Sequence, residues 1–266
     1  MKITITSIGK TNRDESTLNQ YQILLQSIIQ GHPTTTIFLL PEYAWGDVDP
    51  FHISKVTTQL QSLLRDHQYL LYGSYVTEQE SGSYNTAGIV SRTSLLGEVQ
   101  KTNVLDDEKS RNNVVSGVNP GAIEIEGIRV GIVICADLWN GELLTWLVED
   151  EKIDLLLIPA FTVVPPDYHS YAKIQWYSLA IVRSREFLIP LAIADHSDST
   201  ERYAVGAVTS IVDPSLKQSS MRSQEDFLIL SDNHIVSAEL DLDEVQAYRQ
   251  YRVDKGLYQK NSSSES

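Results

Sequence analysis

Two hydrophobic rhythms alternate along the first half of the chain. Lys2–Ile8 alternates polar and apolar residues, which predicts a half-buried strand. Residues 14–30 then place Leu18, Tyr21, Leu24, Leu25, Ile28 and Ile29 at helical spacing. Thr36–Leu40 reads as a short strand stopped by Pro41, and Ile53, Val56, Leu60, Leu63 and Leu64 return to the helical period. Tyr69–Val76 and Asn85–Ser91 read as strands joined through the polar turn QESGSY. This strand–helix–strand–helix–strand opening predicts an α/β protein with a largely parallel core.

The second half is less regular at first. Gly97–Gly121 is polar, carries Pro120 and shows neither period, so it reads as a long irregular connection, and such connections tend to be functional or disordered. Ala122–Glu126 and Arg129–Ile134 flank Gly127 as a hairpin would. Asn140 offers an N-cap, with Leu143, Leu144, Leu147 and Val148 as the stripe of the helix behind it. Asp154–Ile158 is an apolar strand ended by Pro159, and a helix is expected over 168–187. Leu188–Ala194 and Ala204–Val212 read as strands, although Pro190 is awkward in a central one. Phe227–Leu230 and His234–Leu240 suggest a closing hairpin around Asp232-Asn233, followed by a helix over Leu242–Arg252 and a disordered tail ending NSSSES. Without repeat or linker, one domain over residues 1–255 is expected, with 256–266 as the tail.

Composition narrows the function classes. With 266 residues, 42% hydrophobic and 21% charged, the chain can bury a substantial core. A net charge of −14 argues against nucleic acid and against an anionic membrane surface as partners. One cysteine excludes an internal disulfide and suits a reducing compartment. The N-terminus MKITITSIGK lacks the apolar core of a signal peptide, and no apolar run reaches the ~18–20 residues that span a bilayer. A cytoplasmic location is the expectation.

The single cysteine, Cys135, falls at the C-terminal end of the Arg129–Ile134 strand and just before a helix. In an open α/β sheet ligands bind at that edge, and a helix N-terminus favours the thiolate. Position alone makes it a candidate nucleophile, because a lone cysteine is more often a small buried hydrophobe. There is no G-x-G-x-x-G, no Walker A sequence and no G-x-S-x-G. The six histidines form no H-x-x-x-H pair and none neighbours Cys135, so neither a metal nor a cofactor is implied. His169 and His196 remain as partners for a Cys–His dyad, though most histidines are surface or satisfied core groups. Glu42 follows the Thr36–Pro41 strand end and so shares Cys135's type of sheet edge; Lys101 and Arg111 stand in the irregular stretch. Each alone reads as an ordinary exposed charge.

Their surroundings change that reading. L-P-E-Y-x-W-G at Leu40–Gly46, G-S-Y…Y-N-T-A at Gly73–Ala87, K-x-x-x-L-x-x-E at Lys101–Glu108 and C-x-D-L-x-x-x-E-L at Cys135–Leu143 occur in order. Pro159-Ala160, R-S-R-E at Arg183–Glu186, Gly206–Pro214 and AELDLDEV at Ala238–Val245 follow. Together these segments resemble the carbon–nitrogen hydrolase (nitrilase) superfamily, over residues 35 to 252.

The resemblance implies a four-layer αββα sandwich with Glu42, Lys101 and Cys135 as its catalytic set and Glu108 in support. Cys135 would attack a carbonyl carbon to form an acyl-thioester. Glu42 would take the thiol proton, protonate the leaving nitrogen and later activate water. Lys101 and the Ala136 N–H would stabilise the oxyanion, with Glu108 aiming Lys101. Asp137 is expected to be structural, and C-x-D rather than C-x-E points toward amidase-like members. Tyr43, Trp45, Trp139, Phe161 and the loop to Tyr168 are expected at the pocket rim, with Ala136, Tyr43, Trp139 and Phe161 as substrate-binding candidates. Four positions depart from the family pattern: Gln100 for arginine, Ala136 for a bulky aromatic, Gly141 for proline and Asp195 for asparagine. They bear on substrate more than on activity. The expected partner is a small-molecule amide or carbamoyl substrate, and the expected assembly a homodimer or higher homo-oligomer. Amine acyl transfer through the same acyl-enzyme, a non-catalytic binding or regulatory relative, and a redox-sensing thiol are the alternatives.

Overall fold

The computed structural model describes residues 1–9, 15–31, 35–45, 50–215 and 227–257, with the side chains at 15–22, 50–54 and 111–112 outside that description. Gly46 and the NSSSES tail fall outside it, as does the Arg111 side chain.

Two six-stranded sheets form the centre. The first contains β1 (Lys2–Ile8), β2 (Thr36–Leu39), β3 (Gln68–Gln79), β4 (Gly82–Ser91), β5 (Leu95–Gln100) and β14 (Ile235–Asp241), in the order β14-β1-β2-β3-β4-β5. The second contains β6 (Ile123–Ile125), β7 (Ile128–Ile132), β8 (Leu155–Pro159), β10 (Leu191–Ala194), β12 (Ser210–Val212) and β13 (Leu228–Ile229), in the order β13-β12-β10-β8-β7-β6. A two-stranded ribbon, β9 (Val163–Val164) with β11 (Ala204–Val205), stands apart. Parallel neighbours need long crossovers, and helices supply them. α1 (Glu15–Gly31) and α2 (Pro50–Leu63) connect the parallel β1, β2 and β3, while α4 (Gly141–Glu149) and α5 (His169–Phe187) connect the parallel β7, β8 and β10. A short α3 (Asp106–Asn112) and a terminal α6 (Leu242–Asp254) complete the chain.

The period-two alternation of the strands builds the layers. Ile37, Leu39, Tyr69 and Leu71 join the cluster between the sheets, where β1 and β2 face β8 and β10. Their neighbours Phe38, Leu70 and Tyr72 turn the other way, onto Leu25, Ile29, Val56 and Leu60 of α1 and α2. On the far side Leu144, Leu147 and Val148 of α4 and Trp176, Ala180 and Phe187 of α5 cover the second sheet. The result is the expected four-layer αββα sandwich in a single domain. Among the described residues no helix is long and apolar enough to cross a membrane.

Several expectations change. Parallel pairing holds only at the centre of each sheet, because β14, β4, β5, β6, β12 and β13 all pair antiparallel. The segment read as irregular, Gly97–Gly121, contains most of β5 and all of α3. Pro190 precedes β10, so it costs the ladder no donor. Ala204–Val212 breaks into β11 and β12 around Ala207, whose φ of 52° no continuous strand accommodates.

The closing hairpin does not exist. β13 pairs with β12 in the second sheet, whereas β14 runs antiparallel to β1 in the first, from Ile8↔Ile235 to Lys2↔Asp241. The last strand thus crosses the sandwich and ties both chain ends into one sheet.

Candidate active site

The C-terminal ends of β2, β5, β7, β8 and β10 converge at one edge of the sandwich, and the loops leaving them carry Glu42, Lys101, Cys135, Phe161 and His196. Ligands bind at this type of edge in α/β sheets.

Glu42 sits in a tight turn after β2 whose next residue, Tyr43, adopts φ 51°. The turn is held by the Glu42 N–H on Ala160 O at 3.3 Å, the Tyr43 N–H on Ser74 Oγ at 3.2 Å, and His196 Nε2 at 2.6 Å from Glu42 O. Gly73, at φ 77°, lets β3 pass beneath; a Cβ there would stand 2.2 Å from Pro41 O. Lys101 leaves β5 with its N–H on Asn85 O at 2.9 Å. Glu108 lies in the first turn of α3, where its carboxylate caps the Leu105 N–H at 3.0 Å.

The structure brings these side chains together. Lys101 Nζ lies 2.7 Å from Glu42 Oε1 and 2.7 Å from Glu108 Oε2. Lys101 and Glu42 are each 2% exposed, so a buried ion pair is joined by a second, partly buried carboxylate, one cation between two anions. The Tyr43 hydroxyl donates to Glu108 Oε1 at 2.8 Å, and Asn85 Nδ2 donates to Glu42 Oε1 at 2.8 Å and to Glu108 Oε1 at 3.3 Å.

Cys135 opens a short 3₁₀ turn, Cys135–Trp139, immediately after β7, with φ 47°. A left-handed φ on a non-glycine residue costs on the order of 1–3 kcal/mol and persists only where its surroundings impose it. Here Asp137 imposes it. Its carboxylate accepts from the Ile134 N–H at 3.1 Å, from the Thr102 N–H and hydroxyl at 3.0 and 2.8 Å, and from the Asn103 N–H at 2.6 Å. One side chain therefore ties the Cys135 turn to the residues that follow Lys101, the structural role expected for it. Asn103 Nδ2 adds a bond to Ala136 O at 2.9 Å. From α5, Arg183 reaches Leu138 O at 3.4 Å and Trp139 O at 3.2 Å, which gives R-S-R-E its function as a brace.

The electrostatics follow from burial. Desolvation raises the Glu42 carboxyl above 4.5, and Lys101 only partly offsets it. Burial and the neighbouring Glu42 carboxylate push the Cys135 thiol well above 9.0, against the pull of Lys101. Burial alone would lower Lys101, but Glu42, the sulfur and Glu108 outweigh it and raise it above 10.5. Burial likewise opposes ionisation of Glu108, yet Lys101 and the bonds from Leu105 and Tyr43 lower it below 4.5. The thiol donates to Phe161 O at 3.6 Å, and the Glu42 carboxylate stands near enough to oppose its ionisation. The resting arrangement is a neutral thiol beside a buried carboxylate whose proton affinity is elevated.

The rim candidates are distributed unevenly. Ala136 is buried beside the cysteine, and Tyr43 is engaged with Glu108. Phe161 lies edge-on to His196 at 4.7 Å and to Tyr203 at 5.8 Å. Trp139 is 41% exposed, edge-on to Trp176, and borders a surface groove of about 680 Å³ with Asn140, Glu142 and Trp146. Trp45 is buried, its indole N–H donating to Tyr72 O at 2.8 Å. The two histidines considered for a dyad serve backbone instead: His196 meets Glu42 O and His169 Nδ1 meets Val205 O at 2.6 Å. Among the described residues no group of three or more His, Cys, Asp or Glu could hold a metal ion.

Two contributors escape a linear reading. Asn85 stands in the sequence as the first residue of the expected Asn85–Ser91 strand and within the Y-N-T-A motif, where nothing assigns it a role, although asparagine is a poor strand former. Asp195, wholly buried after β10, accepts from the Thr162 N–H and hydroxyl, the His196 N–H and the Val208 N–H at 3.1, 2.6, 2.9 and 3.0 Å. It fixes the loops that carry Phe161 and His196.

A carbon-nitrogen hydrolase family model matches residues 3–250. No curated protein sequence matches significantly. Among solved structures, the chain is similar to Nit3 of Saccharomyces cerevisiae, a member of branch 10 of the nitrilase superfamily, with 16% identity, a TM-score of 0.73 and 94% of each chain covered. It is similar to a carbon-nitrogen hydrolase from Helicobacter pylori G27, with 13% identity, a TM-score of 0.76 and 100% and 97% covered. A cysteine-to-alanine mutant of the amidase from Nesterenkonia sp. AN1, in complex with butyramide, gives 17% identity, a TM-score of 0.69 and 96% of each chain. At these identities the neighbours establish the fold, and the family model, spanning nearly the whole chain, establishes the membership: this protein belongs to the carbon-nitrogen hydrolase family.

Proposed function

We propose that this carbon-nitrogen hydrolase is amidase-like and cleaves a small linear amide, ω-amide or carbamoyl group through an acyl-thioester on Cys135. The carrying observation is the buried Lys101–Glu42 pair beside the thiol, with Lys101 Nζ at 2.7 Å from both Glu42 and Glu108. In this reading Glu42 accepts the thiol proton as sulfur attacks the carbonyl carbon. The C–N bond breaks as Glu42 returns that proton to the leaving nitrogen, and a water then activated by Glu42 releases the acid. Lys101 and the Ala136 N–H hold the oxyanion, and Glu108 keeps Lys101 charged and aimed. The elevated proton affinity of Glu42 suits a group that takes and returns a proton. The butyramide complex of the Nesterenkonia amidase supports a short amide as substrate.

A homodimer in the cytoplasm belongs to the same proposal. α5 exposes Tyr171, Ile174 and Val182, an apolar surface that a second copy would cover, and sedimentation velocity tests it. The catalytic reading is tested by ammonia release from a panel of short aliphatic amides, with the wild type compared to Cys135→Ala. Turnover by the wild type that Cys135→Ala abolishes supports it; turnover that survives the substitution overturns it. Hydroxylamine added to the reaction separates hydrolysis from acyl transfer, because an amine-accepting acyl-enzyme yields hydroxamate in place of acid.

A further inference from the structure

We propose that Asn85 is a positioning residue of this site, spanning the two carboxylates that flank Lys101 and keeping Glu42 ionised and aimed as the base. The inference rests on the catalytic reading of Glu42 and Cys135 above.

Asn85 lies inside β4 and is wholly buried, where asparagine is a poor strand former and an amide is costly to desolvate. Its Nδ2 donates to Glu42 Oε1 at 2.8 Å and to Glu108 Oε1 at 3.3 Å, and its main-chain carbonyl accepts the Lys101 N–H at 2.9 Å. One residue thus touches every charged member of the triad. The direction of its side chain is dictated by charge: the reverse orientation would put Oδ1 against both carboxylates. As placed, Oδ1 meets no partner among the described residues. A buried carbonyl oxygen left unpaired is unfavourable, so the donor side must carry the reason for the residue.

That reason is electrostatic. With both carboxylates ionised, one lysine leaves the triad a net negative charge. A second cation would hold Glu42 too strongly to let it accept a proton. A neutral amide instead donates to both anions and adds no charge, favouring the ionised forms more gently. It shares Glu42 Oε1 with Lys101, so neither bond occupies Oε2, which stays available to the thiol.

Cys135 is the only cysteine, so alkylation by iodoacetamide followed by intact mass reads the site without any knowledge of the substrate. Its rate is measured against pH in the wild type, Asn85→Ala and Asn85→Asp, with near-ultraviolet circular dichroism as the check on folding. In the wild type the rate should fall on the acid side as Glu42 takes a proton. Asn85→Ala should move that midpoint up by about half a pH unit or more, leaving the rate at high pH within about twofold. Asn85→Asp keeps the shape but removes the donors and adds a charge, so its midpoint should move further, and it supplies the measurement if the alanine variant does not fold. An unmoved midpoint in a folded variant overturns the role of Asn85, because a purely structural loss would lower the rate at every pH alike. A wild-type profile like that of a free thiol would overturn Glu42 as the base, and Asn85 with it, which distinguishes the two failures.

Discussion

Lys101 Nζ lies 2.7 Å from Glu42 Oε1 across 59 residues of sequence, and both side chains are almost wholly removed from water. Burying an ion pair rarely stabilises a fold, since desolvating both charges costs as much as their attraction returns. The second carboxylate, Glu108, makes the balance less favourable still. Stability therefore gives no reason for the arrangement, and the proposed chemistry does.

Removing the lysine should harm both folding and chemistry. Lys101→Ala strands the buried Glu42 carboxylate beside the partly buried Glu108, which by analogy with other broken buried pairs costs about 3–5 kcal/mol. The loss of an oxyanion donor should lower kcat by roughly 10²–10³-fold. Glu42→Gln should abolish turnover as completely while costing less stability, because Lys101 keeps Glu108 and a buried charge is removed. Urea unfolding beside steady-state kinetics separates the two; equal destabilisation by both variants would contradict this account.

The pH dependence carries a definite sign. Burial raises Glu42 above 4.5, so the acid limb of kcat/KM should lie above the ordinary carboxylate range, and the loss of rate there should follow protonation of the base. Stability behaves differently for each carboxylate. The raised Glu42 favours folding below 4.5 and loses that contribution as pH rises through its folded value. The lowered Glu108 favours folding above 4.5 and loses its contribution as pH falls through its folded value. Glu108→Gln should therefore destabilise the protein more at pH 7 than at about pH 4. Denaturant midpoints at the two pH values check the order.

Asp195 should not tolerate replacement by asparagine. Four donors converge on its two oxygens, and the Val208 N–H on Oδ2 cannot reverse its polarity as a hydroxyl can. In Asp195→Asn an amide group must oppose an N–H, leaving buried donors unpaired at about 1–3 kcal/mol. Because the same oxygens hold the loops of Phe161 and His196, KM should rise as well. Unchanged stability and KM would show that the loops are held by other means.

At the opposite edge of the sandwich, Glu126 accepts from Tyr69 OH at 2.8 Å and from Thr35 Oγ1 at 3.3 Å, and pairs with His67. The bond and charge of Glu126 raise His67 above 6.5, and although burial opposes it, His67 and Tyr69 lower Glu126 below 4.5. The histidine contribution is complete below 6.5 and lost as pH rises through its folded value; the glutamate contribution is present above 4.5 and lost as pH falls. His67→Ala should thus lower Tm most between pH 4.5 and 6.5, and salt should shrink the effect because the pair is exposed. A Tm difference independent of pH would exclude the ion pair as its source.

Much of the local structure was legible. Asn140 caps α4 through Leu143 N–H at 3.1 Å, and Leu144, Leu147 and Val148 form its buried stripe, as the spacing predicts. Capping and helical periodicity depend on residues within one or two turns, so the sequence carries them whole. The predicted face of α1 fared less evenly: Leu25 and Ile29 are buried, while Leu24 is exposed. An apolar residue at the margin of a stripe has no packing partner until the neighbouring layer is in place. α3 was missed because seven residues of DDEKSRN carry no apolar period at all. Its first turn is settled by Glu108, whose capping bond and ion pair with Lys101 are both made there.

Sequence by itself determined most of the strands and helices and most of their buried faces, and the resemblance carried by its motifs singled out Glu42, Lys101, Glu108 and Cys135 as candidates. Only the tertiary structure decided which strands pair and which polar groups meet. β13 and β14 have turn chemistry between them, yet each finds its partner in a different sheet. A strand's alternation states which face is buried and not which edge receives it. Asn85, Asp137 and Asp195 likewise acquired their roles from donors and acceptors brought in from distant segments. Hydrogen bonding is directional and short in range, so such partners exist only once long-range pairing has placed the backbone.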